Sequence, residues 1–219
     1  MTAGAEHRPK VMVSSTVYGW EPLLDKIKVA LTTFGYDVVM SRAGSVRVPP
    51  GMKQFDACLQ AVDDCYFFLS IIFPRYGSGR VPGEDAITHQ ELARAVTLGK
   101  PRFTAAHESV VTARRFLGDL GYKTKEEREA TGMKITRKRD PLIDDLRLCD
   151  MYELATGERL PTGETIALAD RVNGWVQAFT SEDQVMSWLN IQFGEVDEMR
   201  AFLVETERLK AEAEAGVTA

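Results

Sequence analysis

The sequence lacks the features that would mark a membrane protein, a disulfide-rich protein or a metalloprotein. No run approaches the roughly 20 apolar residues of a membrane-spanning helix, and residues 1–10 contain no apolar stretch of a secretory signal. The three cysteines and three histidines show neither CxxC nor HExxH spacing, so we expect no disulfide framework and no bound metal. Cys58, Cys65 and Cys149 are typical of reduced thiols in a cytoplasmic protein.

Charge and glycine patterning exclude further classes. The net charge of −5 provides no basic field for nucleic acid, so we expect no nucleic-acid partner. The glycines at 77–83 form neither a P-loop nor a dinucleotide fingerprint, because Pro82 and Glu84 interrupt the pattern. With 219 residues, 44% of them hydrophobic, the chain can bury a core without disulfides or metals.

The first half of the chain alternates between strand-like runs and segments with helical apolar spacing. The strand-like runs are residues 11–13, 36–40, 66–73 and 102–106. This alternation predicts an α/β fold, a parallel sheet with helices on both faces. The run YFFLSIIF at 66–73 shows no polar alternation, which predicts the central strand, buried on both faces. The later patterns are mainly helical, so we expect an α/β domain over residues 1–108 and a mainly helical extension over residues 109–219.

A candidate site follows the predicted central strand. In open parallel sheets, ligands bind beyond the carboxyl ends of the strands. A glycine-rich loop, residues 74–83, lies at that end, and the next helix brings Glu91 in its first turn. Two interpretations of Glu91 stay open. Thr88-x-x-Glu91 is the pattern of a capping box, in which the glutamate only fixes the start of its own helix. A carboxylate kept ionised by the helix N-terminus could instead stabilise positive charge on a sugar during cleavage of an N-glycosidic bond.

Hydroxyls and glycines near this edge also allow two interpretations. The SST segment at 14–16 either caps the turn after the first strand or binds ribose or phosphate. Gly77 and Ser78 belong either to a simple turn or to a backbone cradle for phosphate. Arg75 is the nearest cation, and it is either a solvated surface side chain or a phosphate ligand.

Five short segments, in order, resemble those of one family. They are VSST at 13–16, CLQAVDDC at 58–65, RYGS at 75–78, ITHQE at 87–91 and LGKP at 98–101. Together they resemble a widespread family of TIR-like domains, long labelled as of unknown function, which often precede NACHT-type or other STAND ATPase modules. The later segment NGWVQAF at 173–179 is similar to a family-specific segment. The resemblance implies a flavodoxin-like, TIR-related parallel sheet flanked by helices.

The resemblance also implies site residues. The family is related to TIR domains and nucleoside 2-deoxyribosyltransferases, whose enzymes place a glutamate on the helix after the central strand. Glu91 matches that position and is the implied catalytic residue. The implied substrate-binding residues are Ser14, Ser15, Thr16, Arg75, Tyr76, Gly77, Ser78 and Thr88. One departure is Leu92-Ala93, where the deoxyribosyltransferases carry a small residue and a glycine.

The implied activity is cleavage of the N-glycosidic bond of NAD or a related nucleotide, which would be substrate and not cofactor. The implied role is that of a bacterial anti-phage effector. The alternative is a non-catalytic signalling, assembly or nucleotide-sensing module that works with a separate partner such as a STAND ATPase. An apolar stripe in the last helix predicts docking onto a partner helix or onto the domain's own sheet, and we expect self-association. The stripe consists of Met199, Phe202, Leu203 and Leu209.

Overall fold

A computed structural model describes residues 8–16, 18–40, 45–79, 81, 83–136, 139, 141–171 and 174–217. It contains one five-stranded, all-parallel sheet in the order β2-β1-β3-β4-β5. The strands are β1 (Lys10–Ser15), β2 (Asp37–Val39), β3 (Phe67–Ile72), β4 (Arg102–His107) and β5 (Val176–Phe179). The helices are α1 (Glu21–Phe34), α2 (Gln54–Asp64), α3 (Ile87–Thr97), α4 (Glu108–Asp119), α5 (Lys125–Ala130), α6 (Arg147–Ala155), α7 (Glu182–Phe193) and α8 (Val196–Val217). This order of strands confirms the predicted flavodoxin-like α/β fold.

The central strand is β3, as the apolar run predicted. All six of its residues are buried, and it pairs with β1 on one side and β4 on the other. Its side chains alternate between two cores even though both faces are apolar. Phe68 and Ile72 face one core, whereas Phe67, Leu69 and Ile71 face the other. Burial on both faces explains why the run shows no polar alternation.

Helices cover both faces of the sheet. One core is formed with α1 and α7, and the other with α2, α3, α4 and α6. Helix α1 ends where predicted, because Gly35 adopts a left-handed φ of 106° and its N–H bonds back to the helix. Within the described residues, no helix is long and apolar enough to cross a membrane. All three cysteines are free and buried, as expected.

The C-terminal half is mainly helical, but it also supplies β5, which the sequence patterns did not predict. Strand β5 pairs with β4 along Thr104–His107 and forms an edge of the sheet. The predicted domain boundary between residues 108 and 109 stays a prediction. The sheet contains strands from both sides of that boundary. The charged segment 123–140 contains α5, which starts with a complete capping box at Thr124 and Glu127.

The first turns of helix α8 pack against the chain's own α/β core. Met199 and Leu203 are half-buried against the core beneath α1 and α7. Phe202 stacks on Phe67 with ring centroids 6.4 Å apart. Leu209 remains 52% exposed. The start of the apolar stripe therefore docks onto its own sheet, the second of the two predicted arrangements, and self-association stays a prediction.

Candidate active site

Glu91 does not cap its own helix. Helix α3 starts after Ala86, so Glu91 lies in the second turn and not in the predicted first turn. Among the described residues, α3 begins without a side-chain cap, and the Thr88 hydroxyl has no hydrogen-bond partner. The capping-box interpretation is therefore wrong. The helix starts two residues earlier than the T-x-x-E pattern implies, and this turns both side chains inward, so that both are buried.

The Glu91 carboxylate lies between β1 and α2. Its side chain is 2% exposed. The hydroxyl of Ser14, near the carboxyl end of β1, donates a hydrogen bond of 2.5 Å to Oε2. The thiol of Cys58 on α2 also interacts with the carboxylate. Within the described part of the chain, the other oxygen, Oε1, is buried without a hydrogen-bond partner. One oxygen is thus fixed and the other is unused.

Burial dominates the ionisation of this carboxylate. It raises the pKa of Glu91 from 4.5 to about 7, while the hydrogen bonds from Ser14 and Cys58 oppose the rise. The expectation that the helix N-terminus keeps Glu91 fully ionised is therefore wrong. The carboxylate lies too far into the helix, and loss of water outweighs the helix dipole. A carboxyl with this pKa exchanges its proton near neutral pH, as general acids and bases do.

The hydroxyls of Thr16 and Thr88, like Glu91 Oε1, have no hydrogen-bond partner among the described residues. Thr88 lies one helical turn before Glu91, on the same buried face of α3. Thr16 follows β1, and a Cβ built on Gly77 would lie 3.0 Å from its Cγ2 and 4.0 Å from the Cβ of Ala86. Counting only described residues, the hydroxyls of Thr16 and Thr88 are both buried and unpaired. Because buried polar groups are normally hydrogen-bonded, these two hydroxyls are available to a further polar group.

The other expected ligands do not converge on Glu91. Ser15 Oγ donates to the carbonyl of Thr16. Arg75 Nη1 donates to the carbonyls of Pro74 and Pro141. Gly77 and Ser78 lie at an exposed turn, where Gly77 has a φ of 84° that favours glycine. Of the predicted set, Ser14 contacts Glu91 and Thr88 lies one turn before it on α3, whereas Arg75 and Ser15 bind backbone. Thr16 lies against Gly77 at the end of β1.

Tyr76 takes part in a second, partly buried cluster, which the sequence patterns did not predict. Its hydroxyl lies 2.6 Å from His89 Nδ1 and 3.0 Å from Asp85 Oδ1. The guanidinium of Arg147 lies 4.3 Å above its ring, and its backbone N–H donates to Asp144. These contacts join the loop after β3 to the segment before α6. No local spacing could have indicated them, because the partners are up to 71 positions apart in the sequence.

The Glu91 carboxylate lines none of three cavities formed by the described residues. A cavity of about 570 Å³ lies at the opposite, amino end of β3, lined by Tyr66, Lys100 and Leu203. One smaller cavity lies between β5 and α7, and another between β2 and α2. In the described part of the chain, the Glu91 side chain is therefore nearly closed off from solvent.

Sequence comparison identifies the family. A family model described as a domain of unknown function (DUF4062) matches residues 10–145, which include Ser14, Thr88 and Glu91. The chain belongs to the DUF4062 family. No curated protein matches it in sequence. The match ends before α6, so the family model covers four of the five strands of this DUF4062 domain.

Two solved structures are similar to the DUF4062 chain. One is a 2-deoxyribosyltransferase from the psychrotolerant bacterium Bacillus psychrosaccharolyticus, with 23% identity, a TM-score of 0.33, and coverage of 44% of this chain and 72% of that one. The other is the TIR domain of the activated Roq1 resistosome, which directly recognises the pathogen effector XopQ. It has 15% identity, a TM-score of 0.48, and coverage of 84% of this chain and 99% of that one.

Proposed function

We propose that this DUF4062 protein cleaves the N-glycosidic bond of NAD or a related nucleotide, with Glu91 as its catalytic residue. The observation that carries the proposal is the Glu91 carboxylate itself. One of its oxygens is fixed by Ser14, and the other is buried without a hydrogen-bond partner among the described residues. This arrangement stands at the carboxyl edge of a parallel sheet, where such folds bind ligands.

The chemistry follows from the charge of the carboxylate. As the N-glycosidic bond breaks, the base leaves with the bonding electron pair and positive charge develops on the ribosyl carbon and ring oxygen. Ionised Glu91 either stabilises this charge or forms an ester with the ribosyl carbon through Oε1, and water or a second acceptor then releases the sugar. The hydroxyls of Thr16 and Thr88 can accept and donate hydrogen bonds to sugar hydroxyls.

The biological role that we propose is a bacterial anti-phage effector, in which self-association or a separate STAND-type partner triggers nucleotide cleavage. The buried state of Glu91 supports a triggered activity, because a carboxylate that is 2% exposed is inaccessible to substrate in the monomer. Enzymes commonly complete or expose such sites by closing or shifting loops.

The decisive experiment is incubation of the purified full chain with NAD, nucleotides and 2′-deoxynucleosides, with chromatography of the released base. It is done on the dilute protein and under conditions that favour assembly. Glu91→Gln should lower the rate at least about a hundredfold, equivalent to about 2.7 kcal/mol of transition-state stabilisation. The matched control is Glu108→Gln, a half-buried glutamate that follows β4 at the same edge of the sheet. Equal activity of Glu91→Gln and the native chain would refute the catalytic role.

The burial of the Glu91 carboxylate also supports a second candidate function, a nucleotide-sensing or assembly module without turnover. In this case NAD or another nucleotide should raise the melting temperature of the chain while no base is released. Loss of that rise in Thr88→Val, with retention in Glu108→Gln, would assign sensing to the same site. A melting temperature that no nucleotide changes, together with absent turnover, would leave assembly through surfaces as the function.

A further inference from the structure

Ser14 was expected to bind substrate, but its hydroxyl is already engaged. Ser14 is 2% exposed, and its Oγ lies 2.5 Å from Glu91 Oε2. That distance is typical of a hydroxyl that donates to an ionised carboxylate. A hydroxyl has one proton to donate, so Ser14 cannot at the same time donate to a ligand.

Pairing with β3 holds the backbone of Ser14 in place. Ser14 belongs to β1, and its register partner on β3 is Ser70. The carboxylate that Ser14 contacts lies 77 residues away on α3. A paired strand of the sheet therefore fixes the orientation of a side chain on a neighbouring helix. Groups held by a rigid element in this way lose little further freedom when a reaction occurs.

The oxygen that Ser14 does not contact has no hydrogen-bond partner among the described residues. Glu91 Oε1, Thr88 Oγ1 and Thr16 Oγ1 are all buried, and no described residue hydrogen-bonds to any of them. The two carboxylate oxygens therefore have different environments: Oε2 accepts a hydrogen bond from Ser14, and Oε1 has no described partner.

We propose that Ser14 is a positioning residue, which fixes Glu91 Oε2 and leaves Oε1 as the oxygen that reacts with substrate. The reaction of Oε1 with substrate rests on the proposed function. The positioning of Oε2 by Ser14 can be tested without turnover. Ser14 also supplies a donor that favours the charged carboxylate, and the Cys58 thiol on α2 acts in the same direction. Removing the Ser14 hydroxyl while burial persists should make Glu91 harder to ionise.

The experiment follows the titration of Glu91 by carbon-13 NMR of the full chain with glutamate labelled at the side-chain carboxyl carbon. Glu91→Gln identifies the signal. Ser14→Ala should move its midpoint upward by about one pH unit, since a hydrogen bond to a charged group is worth roughly that much. The matched control is Ser70→Ala, which removes an equally buried hydroxyl from the neighbouring strand in direct register. Ser14→Thr keeps a hydroxyl and should restore the native midpoint.

An unchanged midpoint in folded Ser14→Ala, or an equal shift in Ser70→Ala, would overturn the proposal. Ser14→Cys provides a weaker donor of similar size and should give a smaller shift, so the series is informative even where one variant folds poorly. Where turnover is found, the acidic limb of its pH profile should move with the NMR midpoint. At pH 7, activity of Ser14→Ala should be about fivefold lower. A shifted midpoint without turnover in any variant would contradict the enzymatic function and leave the positioning contact standing.

Discussion

Replacing Glu91 with Gln should make the stability of the chain less sensitive to pH. In the folded state, burial raises the pKa of Glu91 from 4.5 to about 7. In the unfolded state the carboxyl regains its ordinary value. Between these two pH values the folded chain binds a proton that the unfolded chain has released. The free energy of unfolding therefore falls as pH rises through this window, and the loss is complete above pH 7.

The magnitude follows from the two pKa values. Each tenfold change in proton affinity is worth 1.36 kcal/mol. The rise of the Glu91 pKa from 4.5 to about 7 thus costs the native protein about 3 kcal/mol at pH 8 relative to pH 4. Glutamine has a similar shape and does not titrate. Relative to the native chain, Glu91→Gln should therefore gain about 3 kcal/mol between pH 4 and pH 8.

Urea unfolding of both chains at several pH values, followed by tryptophan fluorescence, measures this difference. The matched control is Glu164→Gln, the same replacement at an exposed glutamate. A difference between the native chain and Glu91→Gln that stays constant from pH 4 to pH 8 would refute the reasoning. It would mean that the carboxylate is solvated in the folded protein.

Three further outcomes are expected. Thr88→Val removes a buried hydroxyl that no described residue binds. Thermal or urea unfolding should therefore show an unchanged free energy of unfolding or a gain of about 1 kcal/mol. A clear loss would mean that the hydroxyl has a partner. Arg128→Ala removes the ion-pair partner of buried Asp150 and one of two arginines near buried Glu153, and it should cost about 3–5 kcal/mol; Arg94→Ala in an exposed pair should cost less than about 1 kcal/mol. Residues 133–136 form an irregular segment in which Lys134 is exposed. Limited trypsin digestion, followed by mass spectrometry, should therefore cut first after Lys134. First cleavage elsewhere would contradict this.

Much of the fold could be predicted because its signals are local. The continuous apolar run of β3 and the glycine that ends α1 each depend on a few neighbouring residues. Strand β5 could not be predicted in the same way. Its four residues are too few to show a period, and only pairing with β4 makes them a strand.

The candidate site was only half predictable for the same reason. Glu91 stood out because a carboxylate follows the central strand, yet its environment depends on residues far away in sequence. The Thr88-x-x-Glu91 spacing suggested a local cap, but a start of α3 at Ile87 turns both side chains inward, so that both are buried. The role of Ser14 could not be read from the SST segment, because its partner lies on another helix.

A purely structural role does not account for the composition of this region. A buried carboxylate with a raised pKa and two buried hydroxyls without described partners each lower the stability of the folded chain. An apolar side chain of similar volume at position 91 would pack beside Cys58 without that loss. Buried polar atoms that destabilise the empty protein are a pattern expected of a functional site.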